Sequence, residues 1–380
     1  MDRGRSVATI LSEYARSNRT VNSRIRFPEL DFLRFIAACG VMLFHYTFFG
    51  PQQHLCPGTG PVLSGIFRYG YLGVDLFFIL SGFVILLTAY NKDAISFTFA
   101  RMVRLYPAYW ICVTLTAVTI VIAGTVANHV SLRQYFANLT MVHSFFGMKD
   151  VSGVYWTLAV ELKFYFLVFL ILAARQAHRI GSLLGIWLVA SIALSLRGPG
   201  GAANFFLFPE WSSYFIAGAA FFLIHRDGPS AYKLFLVAVC YLLSVAYAAH
   251  WLGPPDPALS DSVNATAVAV LIALFYLAFL VIALRRRVAS SSNLFQLLGL
   301  ITYPLYLIHQ DIGYIVLRSA PAGLNRHLVL VLVMAAMIAL ACGIYLGPEK
   351  WLASHLKALL AWGRKIASIK WVSLEASKAK

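Results

Sequence analysis

The stretch FLRFIAACGVMLFHYTFFG, residues 32–50, decides the fold class because it is apolar enough to enter a lipid bilayer. Its length approaches the ~20 residues that a helix needs to cross ~30 Å of hydrocarbon. It nevertheless carries Arg34 and His45, and ionisable groups inside a membrane helix are costly and usually functional. His45 is eleven positions after Arg34, a step that turns a helix by ~1,100° and advances it by ~16 Å. We therefore predict that both side chains share one stripe at different depths, and that Asp31, one turn earlier, pairs with Arg34.

The rest of the chain repeats this composition from end to end. Of its 380 residues, 60% are hydrophobic and only 12% are charged, which excludes a soluble domain of this length. The segment 135–146 is apolar but too short to span a membrane, so we expect it to be interfacial or re-entrant. We predict an all-α, polytopic membrane protein with about ten transmembrane helices, near residues 32–49, 70–90, 107–127, 154–174, 180–196, 211–225, 232–252, 263–284, 294–317 and 327–347.

The two ends of the chain differ in composition from the predicted membrane domain, residues 29–347. A basic segment, residues 1–28, precedes this domain, and a basic amphipathic tail, residues 348–380, follows it. Three tryptophans stand among lysines in the tail, which is typical of a helix that lies in the membrane interface. Each end has about 30 residues, which is too few for an appended soluble domain. We expect both ends to act as anchors.

The net charge of +16 is distributed as a topology signal. With the N-terminus placed inside, the inner segments hold 23 lysines and arginines, whereas the outer loops hold 6. Cytoplasmic loops carry such an excess, so we predict that both termini are cytoplasmic. The same excess favours contact with anionic membrane lipid. Nucleic acid is not an expected partner, because no basic patch is interleaved with aromatic residues that could stack on bases.

The cysteines give no sign of a disulfide framework or of a metal site. They are scattered, four of them lie within apolar runs, and their spacing matches no metal-binding pattern. We therefore expect no metal. The five positions are Cys39, Cys56, Cys112, Cys240 and Cys342.

The ionisable groups of the predicted helices separate by depth. Arginines gather toward the cytoplasmic side, where clustered guanidinium groups suit phosphates. Histidines and carboxylates fall in the outer half of the bundle, and a histidine oriented by an acid can activate a hydroxyl group. The first group contains Arg34, Arg101 and Arg104, and the second contains His45, Asp75, Glu161, His309 and Asp311.

Structural roles remain open for most of these side chains. Arg34 could snorkel to the interface, and Arg101 and Arg104 could be ordinary positive-inside residues. A lone membrane histidine serves helix packing as readily as catalysis. Asp75 lies near enough to the predicted surface to be solvated. Glu161, deep and flanked by apolar residues, is the hardest of the group to explain by structure alone.

Five stretches together resemble the acyltransferase 3 family of bacterial integral-membrane O-acyltransferases. Each motif has moderate specificity, but all five occur in the family's order and cover nearly the whole chain. The arginine and histidine of the first stretch match the family's Arg/Lys-ten-residues-His spacing. The stretches are ELDFLRFIAACGVMLFHY (29–46), YLGVDLFFILSGFVI (71–85), FARMVRLYPAYW (99–110), YWTLAVELKFYF (155–166) and TYPLYLIHQ (302–310).

This resemblance implies a ten-helix core in the bacterial cytoplasmic (inner) membrane. Such a core takes an acyl group, usually acetyl, from cytoplasmic acyl-CoA and passes it to a hydroxyl, often on a surface or exported glycan. Some members add an extracytoplasmic esterase-like domain, for which this chain has no room, so we expect direct transfer or a separate periplasmic partner. By matching position, the resemblance implies roles for the pair Arg34 and His45, the pair Arg101 and Arg104, the carboxylate Glu161, and the less certain positions Asp75, Ser81, Trp156, Tyr303 and His309.

These observations give a mechanistic hypothesis. The phosphates of acyl-CoA dock on Arg101, Arg104 and Arg34, and the pantetheine arm reaches along the first helix. His45 then takes the proton of an acceptor hydroxyl, while Glu161 or Asp75 orients the imidazole.

Three alternatives remain open at this stage. His45 could itself carry the acyl group as a relay. The acceptor could be a small secondary metabolite rather than a glycan such as an exopolysaccharide, O-antigen or lipid-linked sugar. The protein could also be a transporter or flippase, since buried charges are expected there too. The sequence does not fix the oligomeric state.

Overall fold

The computed structural model describes residues 27–123, 130–198, 200–251, 263–285, 293–321 and 323–363, and ten long helices run through them. No strand occurs in these described residues, so the predicted all-α fold is confirmed. The long helices are α1 (Pro28–Phe44), α2 (Gly73–Ala89), α3 (Ala94–Ala123), α4 (Trp156–Ala173), α5 (Ile180–Arg197), α6 (Pro209–Asp227), α7 (Ala231–Trp251), α8 (Ala265–Leu284), α9 (Asn293–Ser319) and α10 (Arg326–Ile344).

Nine of these ten helices, extended by their flanking turns, are long and apolar enough to cross a membrane, as predicted for a polytopic protein. The exception is α9, which has 27 residues but carries His309, Gln310 and Asp311 at its centre. These strongly hydrated side chains lower its hydropathy. Because His309 and Gln310 are buried, the polar centre of α9 lies inside the bundle rather than against lipid.

The third helix differs from its prediction at its start. The expected start near Pro107 is wrong, because α3 begins well before it and continues through the proline. The carboxylate of Asp93 accepts a hydrogen bond from the backbone N–H of Ser96 (2.8 Å), which caps the helix at this earlier point. Arg101 and Arg104 therefore lie within α3 rather than in a loop before it.

The apolar segment between α3 and α4 is not a span. It folds into a short helix, Leu132–Leu139, and a single tight turn, His143–Phe146. The indole N–H of Trp110 donates to the Leu139 carbonyl oxygen (2.9 Å), which ties this segment to α3. The N-terminal segment, the predicted end of the third helix and the last part of the tail lie outside the described residues.

Helix α1 packs between α2 and α9. It runs parallel to α9, since Asp31 packs against Gly299 near one end and Tyr46 packs against Gly313 near the other. The Tyr46 hydroxyl also donates to the backbone carbonyl oxygen of His309 (2.6 Å). This pairing places the histidine-bearing parts of α1 and α9 side by side.

Glycines allow α2 and α6 to pack at backbone distance. Gly82 of α2 faces the carbonyl oxygen of Phe215, and Gly218 of α6 faces the carbonyl oxygen of Ile79. Small residues are the usual means by which membrane helices approach this closely. The contact fixes α2, which carries Ser81 toward the candidate site.

Substitution of Gly218 by alanine is expected to destabilise the protein by about 1–3 kcal/mol, as overpacking of a close interface does. The new methyl group would collide with backbone atoms of Ile79 and Phe83, which cannot rotate away as a side chain could. Thermal unfolding in detergent measures the effect. Gly343→Ala is the matched control, since nothing lies within 4 Å of a Cβ at this helical position. Equal melting temperatures for both variants would contradict this packing.

Among the described residues, two helices continue into a π-helical turn, and each such turn contains a residue of the candidate site. The first, His45–Phe49, continues α1, and the second, Tyr345–Glu349, continues α10. A π turn inserts one residue into the helical register and is frequent at functional sites. The first turn begins at His45, and the second ends at Glu349, a residue that sequence reasoning left in the tail.

Candidate functional site

A cavity of about 1070 Å³ lies between α1, α2, α3, α4, α9 and the helical segment that follows α10. Its walls carry six cations and three carboxylates, a net formal charge of +3, so the cavity favours an anionic ligand. We call it the basic cavity. The three arginines predicted to act together all line it. Its charged residues are Arg34, Lys92, Arg101, Arg104, Lys350 and Lys357, with Asp31, Glu161 and Glu349.

Two arginines of the basic cavity form ion pairs with carboxylates of the same cavity. Arg34 pairs with Asp31 (3.2 Å), as predicted from their helical spacing. Arg104 pairs with Glu349 (3.3 Å), and its guanidinium lies 5.6 Å from the ring centre of Tyr303. Because a guanidinium has five N–H donors, one carboxylate contact leaves donors for a phosphate.

Arg101 has a donor available at the same place. Its guanidinium lies 6.0 Å from the ring centre of Phe97, and its Nε atom is buried without a hydrogen-bond partner among the described residues. The Tyr303 hydroxyl, also in the cavity wall, is buried and unpaired in the same way. Buried polar atoms without partners are rare in folded proteins and indicate a missing ligand or water.

Glu161 belongs to the basic cavity. The Ser81 hydroxyl donates to its Oε1 atom (2.6 Å), and both residues line the cavity wall. The expectation that Glu161 stands with the histidines was therefore wrong. Helical spacing gave its depth, but the direction of its side chain depends on how α4 is rotated against α2.

The two histidines of the predicted site form a buried pair. Nε2 of His309 lies 3.2 Å from Nδ1 of His45, and His309 is 1% exposed. Nδ1 of His45 also faces the Val41 carbonyl oxygen (2.9 Å), and Nδ1 of His309 faces the Tyr306 carbonyl oxygen (2.8 Å). The structure thus joins α1 and α9 through two imidazole rings.

These contacts determine which nitrogen carries the proton in each ring. A carbonyl oxygen only accepts, so Nδ1 of both His45 and His309 must be the protonated nitrogen. Nε2 of His309 is then the acceptor for the Nδ1–H of His45. Nε2 of His45, for which the described residues provide no hydrogen-bond partner, keeps its lone pair and can act as a base.

In the part of the chain that the structure describes, no carboxylate forms a hydrogen bond to the imidazole of His45. The buried carboxylate of Asp75 interacts with the Tyr214 hydroxyl of α6 instead. His309 occupies the orienting position that had been assigned to Glu161 or Asp75. The sequence showed that His309 was polar and buried, but it did not show that α9 packs beside α1.

Tyr306 separates the basic cavity from the histidine pair. Its side chain lines the cavity, its ring centre lies 5.5 Å from that of His309, and its hydroxyl is 3.1 Å from the Thr157 hydroxyl. Trp156, the neighbouring candidate, stacks near Trp211 (5.1 Å) at the start of α4. A ligand that extends from the arginines toward His309 therefore meets Tyr306 first.

Other polar residues of the helices have partners elsewhere. Ser152 donates its hydroxyl proton to the carboxylate of Asp311. The ammonium group of Lys163 lies 4.2 Å from the ring centre of Phe205. Among the described residues, no cluster of three or more histidines, cysteines and carboxylates could hold a metal ion.

Comparison with known proteins identifies the fold family. The sequence model of a family described as "Acyltransferase domain", acyltransferase 3, matches residues 27–346, which is most of the chain. No solved structure matches the chain.

Curated relatives carry names of the same kind. "Nodulation protein 10" of Rhizobium leguminosarum bv. viciae is 30% identical over 43% of this chain and half of its own length. "Putative acetyltransferase ORF330" of Acidianus two-tailed virus is 27% identical over 64% of this chain and 73% of its own length. A "Putative O-acetyltransferase" of Staphylococcus aureus (strain COL) is 31% identical over 44% of this chain, but only 29% of that protein is covered.

Proposed function

We propose that this chain, which belongs to the acyltransferase 3 family, is a membrane acyltransferase that moves an acetyl group from acetyl-CoA to a hydroxyl group of a glycan. The observation that carries the proposal is the basic cavity, whose inner wall reaches the histidine pair at Tyr306. A donor with phosphates at one end and a thioester at the other matches this arrangement.

The donor binds with its phosphates among the arginines. Arg101 and Arg104 contact the diphosphate, and Arg34 lines the same cavity from α1, the helix along which the pantetheine arm reaches toward His45. Charge-assisted bonds from guanidinium to phosphate are among the strongest that a protein makes. The thioester passes the Tyr306 ring to reach the histidines. Other acyl-CoA donors with short acyl groups satisfy the same geometry.

The chemical step is general-base catalysis by His45. Its Nε2 takes the proton of the acceptor hydroxyl while the hydroxyl oxygen attacks the thioester carbonyl carbon. The tetrahedral intermediate breaks its C–S bond, and the departing sulfur receives that proton, which yields the ester and free CoA. The Val41 carbonyl oxygen and Nε2 of His309 together keep the proton of His45 on Nδ1, and both accept from that N–H in the charged form.

The orientation in the membrane follows from the charge distribution. We propose that the basic cavity opens to the cytoplasm of a bacterium, with both termini on that side of the inner membrane. The acceptor arrives from the opposite side, alone or delivered by a periplasmic partner. The name of the staphylococcal relative, a putative O-acetyltransferase, supports an oxygen atom as the acceptor and names no acceptor molecule.

A transfer assay with mass spectrometry tests this function. Surface glycans of cells with and without the gene are compared, and purified protein in nanodiscs is incubated with labelled acetyl-CoA and candidate acceptors. We expect acetyl esters that depend on the gene, and release of CoA that depends on the acceptor. Movement of a substrate across proteoliposomes without any acyl transfer would instead support a transporter.

Replacement of His309 separates orientation from chemistry. His309→Ala removes one of the two acceptors of the Nδ1–H of His45 and leaves the Val41 carbonyl oxygen. The lost hydrogen bond is to a group that becomes charged, and such a bond contributes about 1.5–3 kcal/mol. We expect kcat to fall roughly 10–100-fold with an unchanged KM for the donor. His309→Gln, whose amide oxygen can accept the same proton, should recover part of this loss. Equal kcat values for the alanine variant and the wild type would exclude the orienting role.

A further inference from the structure

The helical segment 350–363, which follows the second π turn, forms one wall of the basic cavity. The residues that it contributes recur every three or four positions, so they lie on one helical face. Two of them are cations spaced by seven residues, or two turns. The residues of this face are Lys350, Ala353, Lys357, Leu360 and Ala361.

The opposite face of this segment has the character of a membrane anchor. Trp351 and Trp362 are each 63% exposed, and the ring of His355 packs on Trp351 with ring centres 4.3 Å apart. Tryptophan favours the interface between lipid and water. The segment therefore combines an anchoring face with a basic face that lines the cavity. Membrane anchoring alone does not explain the basic face.

The lysines of the basic face supply most of the cavity's excess charge. Without Lys350 and Lys357, the cavity wall has four cations against three carboxylates, and two of those cations, Arg34 and Arg104, are in ion pairs. A CoA molecule carries a diphosphate and a separate 3′-phosphate. The arginines can meet only part of this charge.

The direction in which the donor lies in the cavity determines where each of its phosphates is placed. The reactive end of the donor must lie toward Tyr306 and His309, so the diphosphate lies in the middle and the 3′-phosphoadenosine lies outermost. Lys350 and Lys357 are exposed, as is Lys92 before α3, whereas Arg101 and Arg104 are partly buried. The outermost cations therefore coincide with the outermost phosphate.

We propose that Lys350 and Lys357 bind the 3′-phosphate of the CoA donor. This inference rests on the proposed function, because it assumes that the donor is an acyl-CoA. It gives the segment 350–363 a role in donor selection: the site distinguishes CoA from a shorter thioester, or from CoA without its 3′-phosphate.

Binding of CoA and dephospho-CoA to the purified protein in nanodiscs tests the proposal without any need for turnover. The variant Lys350→Ala/Lys357→Ala should bind CoA about tenfold or more weakly than the wild type, because two charged contacts are lost. Its affinity for dephospho-CoA should equal that of the wild type. The matched control is Lys149→Ala, in the loop before α4, which should leave both affinities unchanged.

Three results would overturn the inference. The first is unchanged CoA affinity in the double alanine variant, and the second is an equal loss of affinity for CoA and for dephospho-CoA in that variant. The third is a loss of CoA affinity that disappears when the nanodiscs contain only zwitterionic lipid, which would indicate a lipid headgroup as the ligand. Lys350→Arg/Lys357→Arg keeps the charge and should keep CoA affinity, so a loss as large as that of the alanine variant would also count against it. If the wild-type protein binds neither ligand, the acyl-CoA donor itself is wrong, and the inference fails with it.

Discussion

Replacing His45 by glutamine is expected to lower kcat for acyl transfer by about 10²–10⁴-fold, the usual contribution of a general base. Glutamine fills similar space, and its amide N–H can still donate to the Val41 carbonyl oxygen, so the end of α1 should keep its structure. It has no basic nitrogen in place of Nε2. The donor affinity should be unchanged, because the arginines of the basic cavity are untouched.

The measurement is steady-state acyl transfer by purified protein, with membrane insertion and melting temperature compared against the wild type. His327→Gln, an exposed position at the start of α10, is the matched control and should transfer at the wild-type rate. If the His45 variant is correctly folded and acetylates the acceptor at the wild-type rate, His45 is not the base, and the mechanism is wrong.

Removing Arg101 and Arg104 together is expected to weaken donor binding by about 10²–10⁴-fold, since each charge-assisted hydrogen bond contributes about 1.5–3 kcal/mol. The loss should appear in KM for acetyl-CoA and in CoA binding. Acetyl-pantetheine, which lacks the diphosphate, should bind the wild type and the variant equally well.

One substitution in this variant has a structural consequence that must be controlled. Arg104→Ala leaves the buried carboxylate of Glu349 without its partner, and an unpaired buried charge destabilises a protein. Adding Glu349→Gln removes that charge, so the triple variant should melt close to the wild type and still bind CoA weakly. If the triple variant also recovers CoA affinity, the arginines act on stability alone.

Much of the fold could be predicted from the sequence, because a lipid bilayer imposes one simple constraint on the helices that cross it. A spanning helix needs a long apolar run, so all ten helices were predicted from the apolar runs of the sequence. The start of α3 was missed because Pro107 was taken as a boundary, although Asp93 offered an N-cap fourteen residues earlier. Proline ends many helices, but a buried helix can continue past one when its neighbours hold it in place.

Only part of the candidate site could be predicted from the sequence. Helical periodicity placed Arg34 near Asp31 because both lie on one helix, where the geometry is fixed. It could not identify the partner of His45, because that depends on which helix packs against α1 and at what rotation. Glu349 was missed for another reason: it is the last residue of a π turn, which changes the direction of its side chain, and neither Gly347 nor Pro348 signals a π turn by itself.

The central claim is that the phosphate site and His45 are two ends of one donor site. Incubation of the protein with bromoacetyl-CoA, followed by peptide mass spectrometry, tests it most directly, because the bromoacetyl carbon alkylates a nearby nucleophilic nitrogen with loss of bromide. We expect the label on His45, with protection by excess CoA and loss of labelling in the Arg101→Ala/Arg104→Ala variant. Labelling that spares His45, or that ignores excess CoA, would contradict the claim.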